Sequence, residues 1–228
     1  MIETERHEEQ MHYIMSFIGG FFGVYTILNF CDFFGCAQTS NLIYLVTSLL
    51  GHNWKQFVLR LGGMFLYMTA IALTVYLQKR SSINLKRVSL IINALAALLL
   101  GFLPHDIDPV LGLYPLFFAM AFQWNSFKGV YGFVSSTIFS TNNLRQFTIA
   151  ITEIFLNKDH SHILKAKFYG KTLLSFHAGV GISYLLWTFF HMHTAWFCLI
   201  PIGLGLLMEA REHTNFSFIG SLFHAPSH

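Results

Sequence analysis

Three apolar runs long enough to cross a lipid bilayer restrict the folds that this chain can adopt. They cover residues 13–30, 57–77 and 173–190. A helix that spans the hydrocarbon core needs about 20 apolar residues, and about 17 is the lower limit. Only 11% of the 228 residues are charged, whereas a soluble domain carries about 25%. The sequence therefore predicts an all-α integral membrane protein that is surrounded by membrane lipid.

Five further apolar segments are shorter, and two of them are not expected to cross the membrane. Segment 41–50 is too short to span unaided, and segment 143–156 contains Arg145 and Glu153. We expect these two to form re-entrant or broken helices, each entering and leaving on one face. The other three segments are 88–103, 110–124 and 194–208. The sequence therefore predicts six spanning helices and two shorter ones.

The distribution of lysine and arginine favours this arrangement. With six spans, eleven basic residues share one face, only Lys55 and Arg60 lie on the other, and Arg145 lies within segment 143–156. The positive-inside rule assigns the basic face to the cytoplasm. This predicts a multi-pass protein of the cell (cytoplasmic) membrane with both termini in the cytoplasm. The eleven residues are Arg6, Lys79, Arg80, Lys86, Arg87, Lys128, Lys158, Lys165, Lys167, Lys171 and Arg211.

Two similar polar clusters, QTSN at 38–41 and STNN at 140–143, precede the two short segments. The similarity extends outward, because residues 17–20 align with 119–122 and residues 61–63 align with 169–171. With three crossings in each copy, the second copy is inverted relative to the first. The sequence thus predicts a single membrane domain of two inverted-topology repeats, 12–104 and 105–208. A polar N-terminal segment (1–11) and a polar, His-containing tail (209–228) flank the repeats.

The paired clusters indicate a binding site. Thr, Ser and Asn favour helix N-termini, where the first turn carries free N–H groups and a partial positive charge. Two such ends that meet near the bilayer midplane are a recurring arrangement in transporters and channels. We therefore expect a permease or channel-like protein for a small polar or anionic solute. The candidate binding residues are Gln38, Thr39, Ser40, Asn41, Gln123, Asn125, Thr141, Asn142, Asn143, Arg145 and His177.

Other interpretations stay open. Each cluster can cap only its own helix, Arg145 can snorkel or pair with Glu153 or Asp32, and His177 can join two helices. The chain would then be a structural or sensory membrane protein without transport. A membrane-embedded enzyme is the least supported function, because no catalytic motif is recognisable. We predict no catalytic residue, no cofactor and no nucleic-acid partner, and we leave a homo-oligomer open.

Histidine and glycine patterns lead to two further expectations. The H-x-H pairs at 160–162 and 191–193 lack the cysteine or acidic spacing of a known metal site, so we predict no metal centre. The glycines of Gly19-Gly20, Gly62-Gly63 and Gly179-x-Gly181 indicate close packing between helices.

The chain resembles the YoaK family of bacterial multi-pass membrane proteins, whose function is not established. That family has an apolar first helix and then a threonine-glycine-asparagine cluster that recurs in its second half. The matching positions here are 39–41 and 141–145, and the family's glutamine of the fifth segment corresponds to Gln123. The middle glycine of both clusters is replaced, and Gly23 and Trp124 stand where the family has aspartate and asparagine. The resemblance covers roughly residues 13–208 and implies a membrane location without indicating a substrate.

Overall fold

The chain folds into a bundle of helices with one short antiparallel hairpin. The computed structural model describes residues 2–30 and 33–223, with side chains for residues 4–30 and 33–212, so that Asp32 lies outside the described part. The predicted all-α class is confirmed, with a two-stranded hairpin added to it. The elements are α1 (Ile2–Asn29), α2 (Thr39–Leu50), α3 (Trp54–Arg80), α4 (Leu85–Gly101), α5 (Pro109–Gly112), α6 (Tyr114–Ser126), β1 (Gly129–Val130), β2 (Phe133–Val134), α7 (Thr141–Phe155), α8 (Ile163–Phe190) and α9 (Leu199–Phe223), with 3₁₀ turns at His160–His162 and His191–Cys198.

Three helical stretches of the described residues are long and apolar enough to cross a membrane, namely Thr4–Asn29, Trp54–Arg80 and His160–Glu212. By length and composition they indicate a membrane protein. In an 18-residue window of the first stretch, 67% of the residues are buried inside the protein, against 28% and 17% in the other two. α1 is therefore the central helix, whereas α3 and α8 present apolar side chains to the outside.

The predicted terminal segments continue the helices. Residues 2–11 belong to α1, so the polar N-terminal segment forms the first turns of the central helix. The predicted tail, 209–228, begins inside α9. The boundary predicted between the two repeats, at 104/105, falls in the loop between α4 and α5.

Glycines bring α1 and α8 into backbone contact. A Cβ on Gly20 would lie 1.9 Å from the Phe176 carbonyl oxygen, and a Cβ on Gly179 would lie 2.1 Å from the Phe17 carbonyl oxygen. Because backbone atoms cannot turn aside as a side chain can, the close packing predicted at these positions is confirmed. The same prediction is wrong for Gly181, where nothing lies within 4 Å of an added Cβ.

The two helices of this central pair run in the same direction. Near their starts, the ring of Tyr13 lies 6.2 Å from the ring of Phe168. Near their ends, the Trp187 indole Nε1 donates to Asn29 Oδ1 at 3.0 Å. α1 and α8 are therefore parallel along their whole contact.

A second parallel pair is formed by α3 and α6. The Tyr114 hydroxyl donates to the Leu59 carbonyl oxygen at 2.6 Å near the start of both helices. Further along, Tyr67 and Ala70 of α3 share a small hydrophobic cluster with Phe122 of α6. The remaining helices cover these pairs, with α2 on α3, α7 on α8, α4 on α6 and α9 on α1.

Candidate functional site

Both polar clusters lie at helix starts, as predicted, but they do not cap the helices with their side chains. α2 begins at Thr39 and α7 begins at Thr141. The residues that precede them, Gln38 and Ser140, occupy the N-cap positions and make no side-chain capping bond. The capping role considered for the clusters is therefore wrong, and the side chains of the two asparagines have other partners.

In the first cluster, Asn41 joins α2 to α3. Its side chain is 3% exposed, and Nδ2 donates to Gln38 Oε1 at 2.8 Å and to the Arg60 carbonyl oxygen at 3.0 Å. The Arg60 guanidinium lies 4.8 Å from the ring centre of Phe33 and 4.7 Å from that of Tyr44. These contacts hold the start of α2 against the first turns of α3.

In the second cluster, Asn143 holds the segment that precedes α7. The residue is 2% exposed. Its Oδ1 accepts from Ser135 Oγ at 3.0 Å and from the Ser136 backbone N–H at 3.2 Å, and its Nδ2 donates to the Ser136 carbonyl oxygen at 2.6 Å. All of these bonds run to the chain just before the helix, so Asn143 fixes the conformation of that loop.

Five of the other candidates stand apart from these bonds. Thr39, Thr141, Arg145 and His177 are exposed, while Ser40 is partly buried. No described residue forms an ion pair with Arg145. His177 Nδ1 lies 2.8 Å from the Leu173 carbonyl oxygen of its own helix. The structure therefore does not bring these side chains together with the buried asparagines.

A buried histidine extends the second cluster to the central helix. His12 of α1 is 1% exposed, and its Nε2 lies 2.8 Å from Ser135 Oγ, the same hydroxyl that bonds Asn143. The three side chains form a hydrogen-bonded chain from α1 to α7. His12 was not among the residues predicted from the sequence, although a histidine next to the first apolar run is a signal that could have found it.

Gln123 is the centre of a second buried network. It is fully buried, its Nε2 donates to the Met15 carbonyl oxygen at 2.9 Å and to Thr137 Oγ1 at 3.0 Å, and its Oε1 accepts from Asn93 Nδ2 at 2.7 Å. The amide thus ties α1, α4, α6 and the loop before α7 together. Asn93, also fully buried, was missed because nothing local distinguishes it from a lipid-facing or packing asparagine.

The loops that lead into α2 and α7 meet at one residue of α1. Cys36 Sγ contacts the Gly19 carbonyl oxygen at 3.6 Å, and a Cβ on Gly19 would lie 2.0 Å from the Thr137 carbonyl oxygen. Glycine is required here because the second loop crosses the helix at backbone distance. Among the described residues no hydrogen bond joins the two clusters themselves, which contact different partners.

Two cavities border the His12–Ser135–Asn143 chain. One, of about 450 Å³, lies between the first turns of α1, the start of α4 and the end of α6, and the charged residues Glu8, Lys86, Lys128, Glu209 and Glu212 line it together with His12. The other, of about 370 Å³, is lined by Ser135, Ser136 and Asn142. Both cavities are bordered by Asn125 and Lys128. The charged cavity and the cavity at the loop before α7 are therefore neighbours that share two lining residues.

The H-x-H pairs lie in exposed turns and have other contacts. His162 Nε2 is 3.5 Å from Asp159 Oδ2, and hydrogen bonds from Ser161 hold the pKa of Asp159 below its usual range. His193 Nδ1 lies 2.9 Å from the Gly101 carbonyl oxygen. The structure contains a different cluster, which was not predicted from the sequence. In it, ligand atoms of His7, Glu209 and Glu212 lie within 4.8 Å of one another.

Comparison with known proteins gives one result that bears on identity. No curated protein and no solved structure matches this chain. A family model described as "Protein of unknown function (DUF1275)" matches residues 11–208, which include the whole of α2 to α8 and most of α1. The chain therefore belongs to the DUF1275 family.

Proposed function

We propose that the protein is a membrane permease or channel for a small polar or anionic solute. The observation that carries this proposal is the pair of neighbouring cavities beside the His12–Ser135–Asn143 chain. Polar groups inside an apolar bundle are costly unless they are bonded or line a water-filled space. Here the three side chains are bonded to one another, and His12 and Ser135 also line the two cavities.

The packing of the helices supports the six-span, inverted-repeat architecture as part of this proposal. Exchanging α1 with α6, α2 with α7, α3 with α8 and α4 with α9 converts each main contact into another. The α1–α8 contact becomes α6–α3, α2–α3 becomes α7–α8, and α4–α6 becomes α9–α1. Such an exchange is expected if the two halves are copies of one unit. The same doubled unit supports membership of the YoaK family.

The paths of the two loops support short helices that enter from opposite faces. After α1, the chain turns back to Gly19, and α2 then leads towards the Lys55–Asp108 ion pair of 3.4 Å. The loop before α7 starts from the opposite end of α1, where the Tyr131 hydroxyl donates to Glu9. From there this loop also runs to Gly19. Each short helix therefore begins near the middle of the central helix, where a re-entrant segment should turn.

The charges of the larger cavity narrow the class of solute. Carboxylates of Glu8, Glu209 and Glu212 and ammonium groups of Lys86 and Lys128 line the same space. Both signs together favour a zwitterionic or neutral polar solute over a simple anion, because an anion would be repelled by the carboxylates. Arg145 borders neither cavity, so it gives little support to the anionic alternative.

A ligand screen with a cavity variant tests the function. We expect a polar solute among neutral amino acids, polyols and small carboxylates to raise the melting temperature of the purified protein by mass action. Asn125→Leu should abolish that rise at little cost to the fold, since among the described residues its amide makes a single hydrogen bond, a long one of 3.5 Å to the Ala121 carbonyl oxygen. The matched control is Asn157→Leu, an exposed amide outside both cavities. If a solute still raises the melting temperature of the Asn125→Leu variant, the solute binds elsewhere. If none of the solutes raises the melting temperature of the native protein, a structural role is favoured.

Topology is tested by labelling single cysteines. In a variant whose three native cysteines are replaced by alanine, Ile83→Cys and His160→Cys should react with an impermeant maleimide only from the cytoplasmic side. Asn53→Cys should react only from the opposite side, because six spans place it beyond the first crossing. Reaction of positions 53 and 160 from the same side would contradict the six-span arrangement.

A further inference from the structure

We propose that His7, Glu209 and Glu212 bind a divalent metal ion at the opening of the larger cavity. The three residues come from opposite ends of the chain, His7 from the first turns of α1 and the two glutamates from α9. One potential ligand atom of each lies within 4.8 Å of the others. A ring nitrogen and two carboxylates at this spacing can surround one ion.

The cluster contains ion-pair contacts, but two of its buried polar atoms lack a hydrogen-bond partner among the described residues. His7 Nε2 lies 2.8 Å from Glu212 Oε2 and 3.5 Å from Glu209 Oε1, yet this nitrogen forms no hydrogen bond to any residue that the structure describes. Glu209 is 4% exposed, and within the described part of the chain its Oε1 also has no hydrogen-bond partner. A buried carboxylate oxygen without a partner is costly, and a cation between the three groups would remove that cost.

No lysine or arginine of the described residues supplies that cation. Glu209 and Glu212 form ion-pair contacts with His7 alone, whereas the neighbouring Lys86 pairs with Glu8. The cluster therefore gathers two carboxylates around one imidazole and has a formal excess of negative charge. This is the charge balance that a divalent ion neutralises.

A second residue orients the buried carboxylate. Asn84 Nδ2 donates to Glu209 Oε2 at 2.8 Å, which leaves Oε1 directed at His7. Asn84 is itself fixed because its Oδ1 accepts from the backbone N–H groups of Lys86 and Arg87 as the cap of α4. Hydrogen bonds of this kind to a metal-binding carboxylate are typical of metal sites, and their loss weakens binding by about 10–100-fold.

The donor set and its surroundings indicate the class of ion. Two carboxylates and one imidazole suit Mn²⁺, Fe²⁺ or Zn²⁺, and carboxylate-rich sites accept Mn²⁺ better than histidine-only sites do. Glu209 and Glu212 line the cavity, so the remaining coordination positions of the ion would face this cavity. This site does not depend on the proposed transport.

Titration of the purified full-length protein with Mn²⁺, followed by the loss of the free-ion EPR signal, tests the site. We expect the native chain to bind one Mn²⁺ that Glu212→Gln and His7→Gln do not bind. Both residues are more exposed than Glu209, so their replacement leaves the fold intact, as circular dichroism should verify. Asn84→Ser keeps a capping hydroxyl but removes the donor to Glu209, and should weaken binding by about 10–100-fold.

The control is Glu8→Gln. Glu8 lines the same cavity, but its carboxylate pairs with Lys86 and does not belong to the cluster. The Mn²⁺ binding of this variant should equal that of the native protein. Absence of Mn²⁺ binding by the native chain at about 1 mM, or native-like binding by both Glu212→Gln and His7→Gln, would overturn the proposal. Equal loss in Glu8→Gln would mean that the cavity attracts cations through its overall charge only.

Discussion

Replacing Gly179 with leucine is expected to force α1 and α8 apart. A Cβ at this position would lie 2.1 Å from the Phe17 carbonyl oxygen and 3.0 Å from the Phe21 backbone nitrogen, and neither atom can move without moving the central helix. Overpacking at a rigid contact costs about 3 kcal/mol. In a protein of this size that corresponds to a melting temperature lower by about 6–12 °C, which thermal unfolding in detergent can measure.

Gly181→Leu is the matched control, since it makes the same change two residues further along the same helix. Nothing lies within 4 Å of a Cβ there, so we expect a change within about 0.5 kcal/mol. If the two variants have the same melting temperature, α8 does not approach α1 through Gly179. The central parallel pair would then be wrong.

Asn143→Leu is expected to release the loop before α7. The substitution leaves the Ser136 N–H and carbonyl groups without the partners that Asn143 provides, and it removes one of the two contacts of the Ser135 hydroxyl. Each buried polar group left without a partner costs about 1–3 kcal/mol, so the two Ser136 groups together should cost about 2–6 kcal/mol. Thermal unfolding should record this loss, and hydrogen exchange should become faster at residues 135–138.

Asn142→Leu provides the comparison. Asn142 is half-buried and makes one bond of 3.3 Å, to the Val134 carbonyl oxygen, so its loss should cost less than about 1 kcal/mol. A stable Asn143→Leu variant that no longer responds to a solute would contradict this expectation. Asn143 would then contact the solute directly instead of holding the loop.

The sequence by itself determined the features that depend on neighbouring residues. Long apolar runs and few charges require helices in a lipid environment, since a helix satisfies its own backbone hydrogen bonds. The starts of α2 and α7 at Thr39 and Thr141 follow from polar clusters that precede apolar runs. The close approach at Gly20 and Gly179 was also predicted from the positions of the glycines, because glycines in adjacent helices leave room for backbone contact.

Only the tertiary structure decided which polar side chains meet. His12 bonds Ser135, Asn93 bonds Gln123, and His7 faces Glu209, although each pair is far apart in the chain. A sequence indicates that a polar residue lies on a helix, but its partner depends on how the helices are rotated and crossed. That rotation is set by the combined packing of many side chains. For the same reason Gly181 of α8 is open while Gly179, two residues earlier, is in contact with α1.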